Sequence, residues 1–266
     1  MIDLHCHTTF SDGSKTIEEV IALAKRLKLT ELAITDHNTL SGAIVAHQFE
    51  PELVLTGTEL SVGYKDKELH LLSYFPQPGN FSSVNFVIKQ GELNKSIALV
   101  QMVENLNAEG YKIDMHELSE FASGTINRVH ICRALMKHGY ISSVAEGFDN
   151  LIGNHCKAYV KRQYVPIEEA VKAVHDDGGI AVIAHPYNYK MKDEEVLEML
   201  DYVVDMVDGI ECFHPSASKE RSVFLKDYAE KHHKRITGGS DYHGDNKPDI
   251  SLGMMNVDDS YRIDMK

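Results

Sequence analysis

The sequence predicts an α/β fold with a largely parallel sheet, interrupted by an inserted, mainly helical subdomain. Three observations predict it. Short apolar runs alternate with amphipathic stretches of helical period through the first third of the chain, which is the rhythm of βαβ units. No convincing apolar β run occurs from Phe81 to about Tyr164, and the alternation resumes at Ile167. Histidines and carboxylates fall at the ends of the predicted strands, where a parallel barrel gathers them on one face.

The elements follow in order. Ile2 to Leu4 reads as a short buried strand. Thr16-Ile17-Glu18-Glu19 is a capping-box pattern, and Ile17, Val20, Ile21, Ala24 and Leu27 follow at helical spacing. Leu32 to Thr35 is the next strand and Thr39 to Gln48 a short helix. Leu53 to Thr56 and Leu69 to Phe75 are further strands. Beyond them, Ile97, Val100, Val103 and Leu106 form one helical stripe, and Ile131, Leu135 and Met136 form another. Gly110, Gly124, Gly139 and Gly153 punctuate this segment. Ile167, Ala170, Val171 and Val174 make a helix face that stops at Gly178-Gly179. A strand from Ile180 to Ala184, a helix around Glu194 to Val204 and a strand from Val207 to Phe213 come next. A helix from about Ser218 to His233 and a strand from Arg235 to Gly238 complete the pattern. The predicted division places 1–84 and 165–266 in the sheet domain and 85–164 in the insertion.

Composition narrows the function classes. The 266 residues carry a formal charge of −13, which weighs against an extended nucleic-acid surface, because phosphate backbones need basic stripes. A small anionic substrate held by a few local cations remains compatible. No apolar run reaches the roughly 18 residues of a membrane helix. The first residues show no secretory pattern, and the four cysteines are scattered without a CxxC pair. A cytoplasmic protein with free thiols, no membrane and no disulfide-linked partner is therefore expected. No GxxxxGK[ST] or GxGxxG motif occurs.

The chemistry lies in the strand-end residues. His5, His7 and Asp12 follow the first strand, Asp36-His37 the second and Glu59 the third, and His70 lies in the fourth. His185-Pro186, His214-Pro215 and Asp241-Tyr242-His243 follow the later ones. A single histidine at a strand end is ordinarily a surface or core residue. A histidine or carboxylate at every strand end is not explained that way. Imidazole nitrogen with carboxylate oxygen, and no thiolate, suits Mn²⁺, Fe²⁺ or Zn²⁺ rather than a closed structural zinc cage. Nine or so ligands exceed what one ion uses, so two or three divalent ions are expected, with Mn²⁺ favoured. Cys6, between two of the histidines, is expected to face the other side of the sheet.

These motifs resemble those of the polymerase and histidinol phosphatase (PHP) superfamily: His5-Cys6-His7 with Ser11-Asp12-Gly13, Ile34-Thr35-Asp36-His37, Gly57-Thr58-Glu59, Ala184-His185-Pro186 and Gly239-Ser240-Asp241-Tyr242-His243. Thr125 to Leu135, with Phe148, Gly153, Ala158-Tyr159-Val160 and the helix from Ile167 to His175, resembles the PHP phosphoesterases that act on nucleotides. The resemblance implies a distorted (β/α)7 PHP barrel whose helical insertion caps the active site. It implies that His5, His7 and Asp241 hold a first metal, and Asp12, His37 and His243 a second. Glu59 would bridge the first to a third held by His70 and His185. Asp36 and His37 are the expected catalytic residues, with Asp36 orienting a ligand or moving a proton.

Arg128, His130 and Arg133 are expected to contact substrate, because a phosphomonoester site needs cations for the non-reacting phosphate. Positions 128 and 133 lie about 140° apart round a helix, so both need not reach one phosphate. His214 is expected to hydrogen-bond substrate or flank the pocket; Lys161 and Arg162 sit where the insertion returns to the barrel and are not expected to line the pocket. The expected reaction is hydrolysis of a small nucleotide phosphomonoester, such as adenosine 3',5'-bisphosphate, by in-line attack of metal-bound hydroxide. The alternatives are 5'-to-3' trimming of short RNA or single-stranded DNA, and histidinol phosphate hydrolysis. A non-catalytic metal-binding module would require missing ligands, and none is missing.

Overall fold

The computed structural model describes residues 1–122 and 126–263. Gly124 and Thr125 lie outside the described residues. The chain divides into two compact units, one of residues 1–88 with 165–266 and one of residues 89–164. In chain order the strands are β1 (Ile2–Cys6), β2 (Glu31–Ile34), β3 (Val54–Tyr64), β4 (Lys67–Phe75), β5 (Val165–Pro166), β6 (Ile180–Ile183), β7 (Gly209–Phe213) and β8 (Arg235–Gly238). The helices are α1 (Ile17–Arg26), α2 (Ser41–Phe49), α3 (Ser82–Ala108), α4 (Met115–Glu120), α5 (Arg128–Lys137), α6 (Val144–Gly147), α7 (Ile167–Asp176), α8 (Asp193–Val203) and α9 (Lys219–Lys231).

In the first unit the strands follow the order β1-β2-β3-β4-β6-β7-β8, with β5 added beside β3. The sheet nearly closes on itself. The Asp241 N–H donates to the His5 carbonyl and the His7 N–H to the Tyr242 carbonyl, each at 2.8 Å, so the chain after β8 lies against β1. Local chemistry sets the helix starts. The Thr16 hydroxyl accepts from the Glu19 N–H while the Glu19 carboxylate accepts from the Thr16 N–H, the reciprocal box read from the sequence.

The sheet is largely parallel, as expected, but β4 runs antiparallel to both β3 and β6. Tyr64 pairs with Lys67 across a two-residue turn in which Lys65 takes a positive φ of 49°, so the chain doubles back instead of crossing over. Strand β3 also runs on to Tyr64 instead of stopping at Thr56. Gly57, Thr58, Glu59, Ser61 and Gly63 hide it from an apolar pattern, because one side of this stretch carries chemistry rather than core. The consequence is functional. An antiparallel β4 places His70, in its first half, level with Ser61 and beside Ala184 at the end of β6.

In the second unit, Leu99, Met102, Val103 and Leu106 of α3 pack with Leu118, Ile131 and Leu135. The first boundary between units falls inside α3, after Ile88 rather than at 84/85, because the helix runs straight through. The expected stripe of Ile97, Val100, Val103 and Leu106 is split. Val103 and Leu106 are buried, but Ile97 and Val100 are exposed. Helix α3 is apolar on two sides, so periodicity alone mixed residues of the buried and the exposed face. Met136 likewise is exposed, while Ile131 and Leu135 are buried. Among the described residues no helix is long and apolar enough to cross a membrane. All four cysteines are free thiols.

Candidate metal centre

The period of two in β1 sends His5 and His7 to one side of the sheet and Leu4 and Cys6 to the other. The Cys6 thiol donates to the Ala33 carbonyl at 3.3 Å, away from the histidines. Two further devices bring the last strand against this edge. The buried Asp3 carboxylate accepts from the Ser240 N–H (2.9 Å) and the Gly253 N–H (2.7 Å). Residue 239 must be glycine, because a Cβ there would stand 2.4 Å from the His5 Cβ. Asp241 and His185 both occupy the left-handed region, with φ of 55° and 26°. Such strain at two side chains that converge on one centre is the kind that a functional site retains.

Glu59 is the hub. Its Oε2 lies 3.2 Å from His5 Nε2, 3.2 Å from His7 Nε2 and 3.2 Å from His37 Nδ1. Its Oε1 lies 2.7 Å from His70 Nδ1 and 2.8 Å from His185 Nε2. Asp241 Oδ1 stands 3.3 Å from His7 Nε2 and 3.5 Å from His5 Nε2. On the solvent side, Asp12 approaches His243 Nε2 at 3.2 Å, His7 Nδ1 at 3.5 Å and His37 Nε2 at 3.8 Å. All nine residues expected as metal ligands from the sequence therefore meet in one place. Eight of them form overlapping groups: His5, His7, Glu59 and Asp241; His7, Asp12, His37 and His243; and His37, Glu59 and His70; His185 joins them through Glu59.

The donor set fits divalent cations. His5 Nε2 and His7 Nε2 each lie 3.2 Å from Glu59 Oε2, and all three atoms are buried with no hydrogen-bond partner among the described residues. Three converging lone-pair atoms left unsatisfied in the interior would be costly unless a cation completes them. The electrostatics agree. Burial opposes charge on Glu59, but His37, His70 and His5 overcome it and hold the carboxyl well below its usual range. Asp241 is held low in the same way, against burial, by His5, His214 and His7. Burial takes His37 down to about 4, whereas Glu59 overrides burial at His70 and takes it up to about 10. Such divergent proton affinities among touching imidazoles mark a site built for charge rather than for packing.

Asp36 stands apart from these groups, whereas His214 forms a further one with His5 and Glu211. The Asp36 carboxylate accepts from the Thr8 N–H (2.8 Å), the Thr8 hydroxyl (2.7 Å) and the Ser11 hydroxyl (2.6 Å). It belongs to none of the ligand groups and ties down the loop that carries Asp12. His214 is buried; its Nδ1 accepts from the Ser216 N–H, and its Nε2 lies 3.4 Å from Asp241 Oδ2.

Three functional neighbours were not read from the sequence. Glu211, fully buried, accepts from His5 Nδ1 (3.0 Å) and from the His185 N–H (2.7 Å). Tyr189 accepts from the His70 N–H at 2.8 Å and donates to the Ala184 carbonyl at 2.9 Å. Lys247 Nζ lies 2.7 Å from Asp241 Oδ2. Glu211 sits inside the apolar run of β7, and a carboxylate there was the available signal.

In the second unit, Arg128 begins α5. It donates to Asn154 Oδ1 at 3.2 Å and lies over the rings of Phe148 and Tyr159. Arg128 lines a cavity of about 160 Å³ with Lys95, Arg162, Tyr159, Tyr164, Leu99 and Met102. His130 is engaged in capping, its Nδ1 accepting from the Asn127 N–H at 2.9 Å. Arg133 is exposed, and Lys161 is exposed as well. Neither lines that cavity, whereas Arg162 does.

Comparison with known proteins agrees with this geometry. The family model for the PHP domain matches residues 3–208. A 5'-3' exoribonuclease of Haemophilus influenzae is 28% identical over 91% of this chain and 89% of its own length. A phosphoribosyl 1,2-cyclic phosphate 1,2-diphosphodiesterase of Eggerthella lenta is 30% identical over 91% and 94%. A 3',5'-nucleoside bisphosphate phosphatase of Chromobacterium violaceum is 29% identical over 91% and 87%. A solved structure from Bifidobacterium adolescentis, described as a metal-dependent phosphoesterase, superimposes with a TM-score of 0.72 at 29% identity, covering 98% of this chain and 93% of that one.

Proposed function

Because this chain belongs to the PHP domain family and is a metal-dependent phosphoesterase, we propose that its substrate is a phosphomonoester of a small nucleotide, such as adenosine 3',5'-bisphosphate. The observation that carries the phosphoester chemistry is the convergence of unpartnered His5 Nε2, His7 Nε2 and Glu59 Oε2. His5, His7, Glu59 and Asp241 would hold one ion, His7, Asp12, His37 and His243 a second, and Glu59 with His70 and His185 a third. Mn²⁺ is the favoured metal for this nitrogen and oxygen set. Bound ions supply Lewis acidity, which makes water more acidic and neutralises charge on the phosphoryl oxygens.

The chain's own residues prepare the rest. Glu211 fixes the His5 ring so that Nε2 faces the centre. Asp36 holds Thr8 and Ser11, and so the position of Asp12; we assign it to positioning. His37, partly exposed at the edge of the group, would meet an entering phosphate. Arg128 is assigned to the non-reacting phosphate. Its support is a cavity with Lys95 and Arg162 and, among the described residues, no acidic lining residue, on a chain whose net charge is −13. His130 and Arg133 are secondary candidates, since His130 already serves the helix cap.

A second reading, removal of nucleotides from the 5' end of short RNA, is favoured by the exoribonuclease relatives. The test is phosphate and nucleotide release with Mn²⁺ from adenosine 3',5'-bisphosphate, AMP, short 5'-phosphorylated oligonucleotides, a ribosyl 1,2-cyclic phosphate and histidinol phosphate. Fastest turnover of the bisphosphate supports the proposal. Preference for oligonucleotides or for the cyclic ester overturns the substrate assignment and leaves the metal chemistry standing.

A further inference from the structure

The last rung between β4 and β6 is interrupted by a side chain. The two strands are antiparallel with Leu71 opposite Ile183, so His70 falls opposite Ala184. The Ala184 N–H donates to the His70 carbonyl at 3.1 Å, one half of the reciprocal pair that such a rung makes. The other half is replaced. The His70 N–H donates to the Tyr189 hydroxyl at 2.8 Å, and that hydroxyl donates onward to the Ala184 carbonyl at 2.9 Å. One phenol oxygen is thus spliced into the ladder and keeps that side of the rung open. The strands so joined carry two imidazoles that meet at one oxygen: His70 Nδ1 lies 2.7 Å and His185 Nε2 2.8 Å from Glu59 Oε1.

The peptide between Ala184 and His185 is gripped at both ends, its carbonyl by Tyr189 and its N–H by the Glu211 carboxylate at 2.7 Å. Just beyond it the His185 backbone takes its φ of 26°, a conformation that its surroundings have to impose. The His185 ring has less support. A ligand imidazole ordinarily has its second nitrogen held by a hydrogen bond, as Glu211 holds His5 Nδ1. His185 Nδ1 is buried and, among the described residues, has no such partner. Its ring instead meets the Tyr189 ring edge-on, with centroids 5.2 Å apart and planes at 61°. We propose that Tyr189 is a positioning residue for one cation site, the one that His70, His185 and Glu59 Oε1 would form, and that the sites on His5, His7, Asp12 and Asp241 do not depend on it. This rests on the reading of the centre as a cage for two or three divalent ions. Glu211 reaches both His5 and His185 and so acts on more than one site, whereas the Tyr189 hydroxyl bonds to the segments that carry His70 and His185. Without that hydroxyl, the His70 N–H can take the Ala184 carbonyl directly. The rung then closes, and the two imidazoles lose the separation that a cation between them needs. Phenylalanine at 189 keeps the ring against His185 and removes only the splice.

The test is equilibrium dialysis of the metal-stripped full chain against a series of Mn²⁺ concentrations, with bound manganese counted by atomic emission. The wild type is expected to bind three ions. Tyr189→Phe is expected to bind one of them about 10–100-fold more weakly and the others as the wild type does, with an unchanged circular dichroism spectrum. His70→Ala is expected to lose the same ion. Adding Tyr189→Phe to His70→Ala is expected to change manganese binding no further, because both act on one site. A merely structural role would weaken every ion in Tyr189→Phe and would add to the effect of His70→Ala. Unchanged binding in Tyr189→Phe, uniform weakening, or a further loss in the double variant overturns the proposal while the metal centre stands. A wild type that binds no manganese overturns the reading of the centre, and the proposal with it.

Discussion

Glu211 Oε1 stands 3.0 Å from His5 Nδ1, and this contact decides which nitrogen of His5 is presented to Glu59. With Nδ1–H committed to a buried carboxylate, Nε2 keeps a lone pair for a cation. The same carboxylate receives the His185 N–H at 2.7 Å, so one side chain orients ligands that arrive from two different strands. Glu211→Gln is expected to lower divalent-metal affinity about 10–100-fold while the far-ultraviolet circular dichroism spectrum is retained. Calorimetric titration with Mn²⁺ checks this, and an unchanged affinity would show that His5 is oriented by other means.

Asp12 separates chemistry from folding. Its side chain is 56% exposed, yet it approaches three imidazoles. Asp12→Ala is expected to change stability by less than about 0.5 kcal/mol, as for other exposed positions. Turnover is expected to fall at least about 100-fold, as when a group acting on the transition state is removed. Urea unfolding and phosphate release on the same preparation measure the two effects. Loss of both together would point to a structural role instead.

Asp36 should behave in the opposite way. It accepts three short hydrogen bonds from Thr8 and Ser11 in the interior. Asp36→Ala strands those donors, and a loss of about 2–4 kcal/mol of stability is expected. Denaturant midpoints measure it. A stable variant with lost turnover would instead place Asp36 in the proton chemistry.

Arg128→Ala tests the assignment of the second phosphate. A charge-assisted contact of about 1.5–3 kcal/mol corresponds to roughly 10–100-fold in kcat/KM. The loss is expected with adenosine 3',5'-bisphosphate and not with p-nitrophenyl phosphate, which has no second phosphate. Equal losses on both substrates would remove Arg128 from substrate recognition.

Much of the site could be read from the chain because strands make residue positions predictable. His5 and His7, two apart at the end of β1, face the same way, and His185 directly follows the short apolar run of β6. Glu211 was hidden for the converse reason. It lies within the apolar run of β7, where a pattern search reads core. The antiparallel turn of β4 was hidden because Gly57, Glu59 and Gly63 interrupt the apolar signal of β3. The buried side of α3 was misjudged because Ile97 and Val100 are as apolar as Leu99 and Val103. Periodicity finds an apolar face, but it cannot choose between two.

The central claim is that these side chains form one cage for several cations, and anomalous diffraction from crystals soaked in Mn²⁺ tests it most directly. Two or three peaks separated by roughly 3.5–4 Å are expected around Glu59, between the His5–His7–Asp241 and Asp12–His37–His243 groups. Manganese bound only elsewhere on the chain, or no ordered ion within reach of Glu59, would contradict the account.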